Sequence, residues 1–175
     1  MGLKMPSTYT LISSNVLAST ATSVTFSAIP ATYTDLVLRL SLRASADGGP
    51  ENVQITFNGA TSTYSSTYVQ GTGSAAASSR YTGQAIIQFP NVINGTAYTA
   101  DTFGSVEIYI PSYTASQNKP LSGIGASENN ATGAFVNATA ALWSSTAAIT
   151  SITIDQSGGN YAIGSSFYLY GISKS

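Results

Sequence analysis

Seven carboxylates, Asp35, Asp47, Glu51, Asp101, Glu107, Glu128 and Asp155, hold nearly all the acid–base chemistry this sequence can offer near neutral pH, because it contains no histidine and no cysteine. A nucleophilic serine needs a neighbouring base, most often imidazole, and the many serines here have none. The same count removes zinc sites built on imidazole and thiolate. Carboxylate chemistry is left. A glycosidase needs two carboxyl groups roughly 5–10 Å apart across a cleft. Asp47 and Glu51 are the one pair close in sequence, and they flank Gly48-Gly49-Pro50, the composition of a solvated turn. An oxygen-rich loop at Asp47 suits calcium in type, but it lacks a run of spaced acids. Glu107 alternates with Val106 and Ile108, which puts it on the outward face of a strand. The sequence therefore predicts no catalytic residue, no metal and no cofactor, and a protein that is not an enzyme. An enzyme acting on glycans ranks third among the readings.

Aromatic residues supply the second kind of chemistry. There are eleven tyrosines and one tryptophan, and such rings stack on sugars and anchor protein interfaces. Tyr64, Tyr68 and Tyr81, with Arg80 beside them, fall in the segment 60–83, rich in Ser, Thr, Gly and Ala and poor in apolar anchors. A segment that long without a core pattern reads as an irregular functional loop. These four residues are the expected partner contacts, with the tyrosines partly exposed. Trp143 ends a strand-like run and reads as core. Tyr168 and Tyr170 alternate with Phe167 and Leu169, so they occupy the opposite face of their strand as ordinary sheet surface.

Charge narrows the choice of partners. Charged residues make up 7% of the chain, against about 25% in ordinary soluble domains. The six basic residues are scattered and the net charge is -1, which argues against nucleic acid, whose phosphates require clustered Lys and Arg. Arg39 and Arg43 share one face of a strand, the pattern of a solvated surface. No apolar run approaches the roughly 18 residues of a membrane span. The opening Met1–Pro6 lacks the apolar stretch of a signal peptide, so no secretion by a host pathway and no membrane partner are expected.

Period-two alternation positions these groups. Leu36, Leu38, Leu40 and Leu42 fall on one face, and Val37, Arg39, Ser41 and Arg43 on the other. Further strands are expected at 8–14, 23–28, 53–57, 84–89, 105–110, 121–127, 134–143, 149–155 and 166–172. Asn58-Gly59 predicts a type I′ hairpin turn, since both residues tolerate positive φ. Many short strands with no helices between them indicate an all-β fold, an antiparallel β-sandwich of jelly-roll type. One domain is expected over 1–175, with a short N-terminal arm (1–7) and the long irregular loop 60–83. With so few charges, strand edges such as 84–89 lack the usual guards, which favours burial against a neighbouring subunit.

The order of several segments resembles the virion proteins of tailed bacteriophages, especially marine and cyanobacterial phages. These segments are Tyr9-Thr10-Leu11-Ile12, Ser23-Val24-Thr25-Phe26, Ile29-Pro30 and Tyr33-Thr34-Asp35-Leu36 at the start. Val106-Glu107-Ile108-Tyr109-Ile110-Pro111-Ser112-Tyr113 and Lys119-Pro120-Leu121 stand in the middle. Ala148 to Ile154, Gly158-Gly159-Asn160-Tyr161 and Gly164 to Ile172 close the chain. The resemblance implies a β-sandwich component of the virion, assembled in the host cytoplasm, and carries over no catalytic residue. It is shared by head-decoration and tail or fibre proteins; the shortness of the chain favours a stand-alone subunit that decorates or cements the capsid by binding the major capsid protein and copies of itself, and the resemblance to cement proteins at threefold positions implies a homotrimer. The alternative is a tail- or fibre-associated host-attachment module whose partner is a host surface glycan.

Overall fold

The computed structural model describes residues 8–46, 48–130 and 133–173. The expected N-terminal arm and Asp47 lie outside them. Twelve strands form two antiparallel sheets, with no helix among the described residues. In chain order they are β1 (Tyr9–Val16), β2 (Ser23–Phe26), β3 (Asp35–Leu42), β4 (Glu51–Phe57), β5 (Tyr64–Gly71), β6 (Ala76–Gln84), β7 (Ile87–Ile93), β8 (Gly104–Ile110), β9 (Lys119–Glu128), β10 (Ala134–Trp143), β11 (Ile152–Gln156) and β12 (Ser166–Ile172). The large sheet runs β1-β12-β3-β8-β9-β10-β5-β6 and the small one β2-β11-β4-β7.

Setting aside the hairpins β5–β6 and β9–β10 exposes the plan. The remaining eight strands, counted in chain order, alternate between sheets as 1-8-3-6 and 2-7-4-5. That is the jelly-roll order, two Greek keys wrapped into a sandwich. The two hairpins are insertions. They dock on one another through β10 and β5 and lengthen the large sheet beyond β8 into a four-stranded wing.

The core follows from the alternation. Leu36, Leu38, Leu40 and Leu42 of β3, Val106, Ile108 and Ile110 of β8, and Phe167 and Leu169 of β12 point inward. They meet Val24 and Phe26 of β2, Val53, Ile55 and Phe57 of β4, Ile87 and Phe89 of β7, and Ile152 and Ile154 of β11 in one contiguous cluster. The wing joins this core in two places. Strand β7 packs across β8, β9, β10 and β5, and it can do so because β9 turns Gly123 and Gly125 toward it. A Cβ on Gly123 would sit 2.5 Å from Phe89, and one on Gly125 would sit 2.5 Å from Val92. At the end of the wing, Tyr64 and Trp143 pack on Phe57, with ring centroids 6.2 and 5.6 Å away.

Three expectations change. Segment 60–83 is not an irregular loop; it is largely the hairpin β5–β6, held by pairing with β10. Asn58 and Gly59 do take positive φ (53° and 68°), and the amide of Ala60 donates to the carbonyl of Phe57, as in a type I′ turn. The strands it links lie in different sheets, however, so it is a crossing and not a hairpin. The side chain of Asn58 pins the β10–β11 connection, with Oδ1 accepting from the amides of Thr150 (2.8 Å) and Ser151 (3.0 Å) and Nδ2 donating to the carbonyl of Ala148 (2.8 Å). The expected strand 84–89 is divided between the end of β6 and the start of β7. Edges are also better guarded than the composition suggests: β1 is bulged between Leu11 and Ser13, and β7 carries Pro90.

Candidate functional site

The four expected contact residues do not form one site. Tyr64 is core, 1% exposed. Its hydroxyl accepts the amide of Phe57 at 2.8 Å, and burial raises its pKa above the usual phenol value. The partners that cover it are Phe57, at the end of the preceding strand β4 and in the other sheet, and Trp143 of β10, remote in sequence. Tyr68 and Tyr81 do meet, stacked at 6.1 Å on the inward side of the wing, beyond the reach of the small sheet. Burial, then the neighbouring Tyr81 hydroxyl, raises the Tyr68 pKa. Arg80 alternates to the other face, opposite Thr67. The contact surface that the structure offers is that other face, the outer side of the large sheet.

Register defines it. On β12, β3 and β8, three rows run across neighbouring strands: Tyr170–Val37–Tyr109, Tyr168–Arg39–Glu107 and Ser166–Ser41–Ser105. On β8, β9, β10 and β5 the same rows continue as Tyr109–Ser122–Ala140–Thr67, Glu107–Ile124–Ala138–Val69 and Ser105–Ala126–Val136–Gly71. The wing half is an apolar trough with a volume of about 520 Å³. Ala138, Ala140 and Ser122 form its floor, Ile124 and Val69 stand 64% and 58% exposed beside it, and Val136, on the neighbouring row, is 56% exposed. Sequence reasoning missed these three because each is an isolated apolar residue at an outward position of its own strand. Only the β9–β10–β5 pairing gathers them.

The other half is aromatic and polar. Arg39 Nε lies 2.9 Å from Glu107 Oε2, and the Arg39 guanidinium sits over the Tyr9 ring at 5.9 Å. Tyr168 stacks on Tyr170 at 6.5 Å, and Tyr9 meets Tyr170 edge-on at 6.4 Å. Tyr109 donates its hydroxyl to Asp35 Oδ2 at 2.9 Å, and that bond, followed by burial, raises its pKa. Outward placement of Glu107, Tyr168 and Tyr170 and inward placement of Trp143 agree with the sequence pattern.

Arg43, expected on a solvated face, and Lys119, one of the scattered cations, both have structural work. Arg43 is turned into the 98–102 loop, donating to the carbonyls of Thr99 (2.9 Å), Thr102 (2.9 Å) and Tyr98 (3.2 Å). Lys119 is fully buried; its ammonium donates to the carbonyls of Ala115 (2.6 Å), Gln117 and Ser145 (3.4 Å) and closes the loop after β8. Burial lowers its pKa. Among the described residues no three Asp or Glu side chains gather as a metal site. The arrangement can stack, hydrogen-bond and bury apolar surface. No family model, no curated protein and no solved structure matches the chain.

Proposed function

We propose that this chain is a non-enzymatic structural subunit of a tailed-phage particle, which decorates or cements the capsid by packing the outer face of the wing of its large sheet against the major capsid protein and against copies of itself as a homotrimer, in a virion assembled in the host cytoplasm. The observation that carries the reading is the trough. Ile124 and Val69, more than half exposed on a floor of alanine and serine, with Val136 beside them on the neighbouring row, form the kind of patch that monomeric surfaces seldom leave uncovered. The wing's four strands, about 4.8 Å apart and continued from β8, make a face roughly 19 Å wide. Over about six residues of strand its area is close to 400 Å², about half of the roughly 800 Å² per partner of a standard interface. The resemblance in segment order points to the virion; the wing supplies a means of attachment.

The test is stoichiometry combined with one variant. In purified particles the chain is expected in proportion to the major capsid protein. Heads depleted of it should rebind the recombinant chain but not Val69→Lys, which puts a charge on the apolar trough. A copy number matching a tail component, or undiminished rebinding by Val69→Lys, would overturn the reading.

A further inference from the structure

We infer that the β12–β3–β8 part of the outer face is a binding site for a neutral oligosaccharide, adjoining the trough along Glu107 and Tyr109 of β8 and beyond the structural role proposed above. Nine outward positions make a grid of three strands by three rows, roughly 10 Å by 14 Å from strand spacing and rise, the footprint of one or two pyranose rings. Its rows differ in chemistry in the way a sugar does. Tyr170 and Tyr109 offer ring surface for the apolar C–H face of a pyranose. Arg39 and Glu107 offer a donor and an acceptor side by side. Ser166, Ser41 and Ser105 line up as hydroxyls that both donate and accept.

The Arg39–Glu107 pair fixes the class of ligand. It engages one N–H of the five on the guanidinium and one carboxylate oxygen, and both side chains remain more than half exposed, at 57% and 56%. The unused donors and acceptor are therefore presented in adjacent positions suited to vicinal hydroxyls. The pair is internally neutral, and Arg43, the next cation along β3, is engaged by backbone carbonyls. A phosphate, sulfate or uronate would find no unpaired positive charge here, whereas a neutral sugar needs none. The ring contacts Tyr168–Tyr170 and Tyr9–Tyr170, together with the guanidinium over Tyr9, hold the aromatic side in place before a ligand arrives, which lowers the ordering cost of binding. The depression beside Tyr168, Arg39 and Ser105 has a volume of about 520 Å³, within the range of small-ligand sites.

The full-length chain is titrated calorimetrically with cellohexaose, maltohexaose and a mannohexaose, and with a hexagalacturonate as the charged comparison. At least one neutral hexasaccharide is expected to bind, with the hexagalacturonate weaker. Tyr170→Ala and Tyr168→Ala are each expected to weaken binding up to about tenfold, the worth of one aromatic contact; both rings are half-buried, so each variant is titrated well below its own unfolding temperature. Arg39→Gln tests the polar row without removing a ring and should weaken binding to a similar extent. Val69→Lys, in the trough and three strands away from Glu107, should leave sugar affinity intact while abolishing rebinding to heads, so the two readings fail separately. Absence of binding by all three neutral sugars at millimolar concentration overturns the inference. So does preference for the hexagalacturonate, or affinity unchanged in the Tyr168→Ala/Tyr170→Ala double variant.

Discussion

Replacing Tyr64 by phenylalanine removes one oxygen and decides whether this residue serves the core or a partner. The hydroxyl accepts the Phe57 amide at 2.8 Å and faces the carbonyls of Phe57 and Ala60 at 3.4 Å each. All of this lies beneath a ring that is 1% exposed. Phenylalanine keeps the ring packing on Phe57 and Trp143, so the cavity cost that dominates a Tyr→Ala change is avoided. What remains is an amide at the end of β4 with its acceptor gone. Stranding a buried backbone donor costs about 1–3 kcal/mol. For a domain of this length each kcal/mol shifts the midpoint by about 2–4 °C, so Tyr64→Phe is expected to lower Tm by roughly 2–12 °C. Tyr81→Phe, at a ring 37% exposed, should change it by less than about 2 °C, since surface changes cost about 0.5 kcal/mol or less. Differential scanning calorimetry of the two variants beside the parent reads both numbers. A Tyr64→Phe variant as stable as the parent but defective in partner association would refute the core assignment and restore Tyr64 as a contact residue.

Three further outcomes rest on particular contacts. Burial raises the pKa of Tyr64, Tyr113 and Tyr161; a raised folded-state value stabilises fully below the unfolded phenol value of about 10 and is lost above it. Stability should therefore fall as pH rises past about 10, by at most about 1.4 kcal/mol per pH unit for each tyrosine, with buried Lys119 opposing as a single group whose pKa is lowered; urea titrations from pH 8 to about 11 with phenolate absorbance follow it, and a flat profile would contradict the burial. Gly171 lies under the Tyr33 ring, where an added Cβ would meet ring atoms at 2.3 Å, so Gly171→Ala should destabilise by about 1–3 kcal/mol. The double variant with Tyr33→Ala should cost less than the sum of the two singles, and simple additivity in denaturant melts would rule the clash out. Asn58→Ala loses the side-chain bonds to 148–151 and also places a Cβ at φ 53°, so it should cost about 1 kcal/mol more than Asn58→Gly; equal midpoints would show that the backbone strain is absent.

The strands that alternate strongly were legible before any coordinates. The leucines of β3 and the Phe167–Leu169 pair of β12 announce their buried face by themselves, because burial on one side of a sheet is a local pattern. The hairpin β5–β6 was not legible. Its inward positions Ser66, Tyr68 and Gln70 are polar or amphipathic, and its strands are fixed by pairing with β10, a partner far along the chain. The same non-locality hid Tyr64: its exposure depends on Phe57 and Trp143, not on its neighbours Thr63 and Ser65. The burial of Lys119 is hidden for a related reason, since its carbonyl acceptors come together only when the 111–118 loop, with Ala115 and Gln117, folds back beside Ser145 after β10. Positive φ at Asn58 and Gly59 was readable, but the turn says how the chain bends and not which sheet receives it.

The two insertions explain why one face carries two kinds of surface. The jelly roll proper ends at β8, and its outer face is the grid of tyrosine, serine and the Arg39–Glu107 pair, all of it compatible with water. The trough begins where the inserted hairpins begin. Its floor needs small residues, and Ala138 and Ala140 on β10 supply them beside Ser122 on β9. Four added strands also burden the fold, because β7 alone cannot cover them; the chain meets this inward with Gly123 and Gly125 against β7 and with Tyr64 and Trp143 at one end. Outward it leaves Ile124, Val69 and Val136 in solvent, which stabilises nothing in the isolated chain. A wing braced this carefully on its inner side while carrying exposed β-branched residues on its outer side makes energetic sense once a partner covers it. The aromatic grid makes sense uncovered. In the proposed assembly, Glu107 and Tyr109 on β8 mark the boundary between the surface packed against a partner and the surface left open.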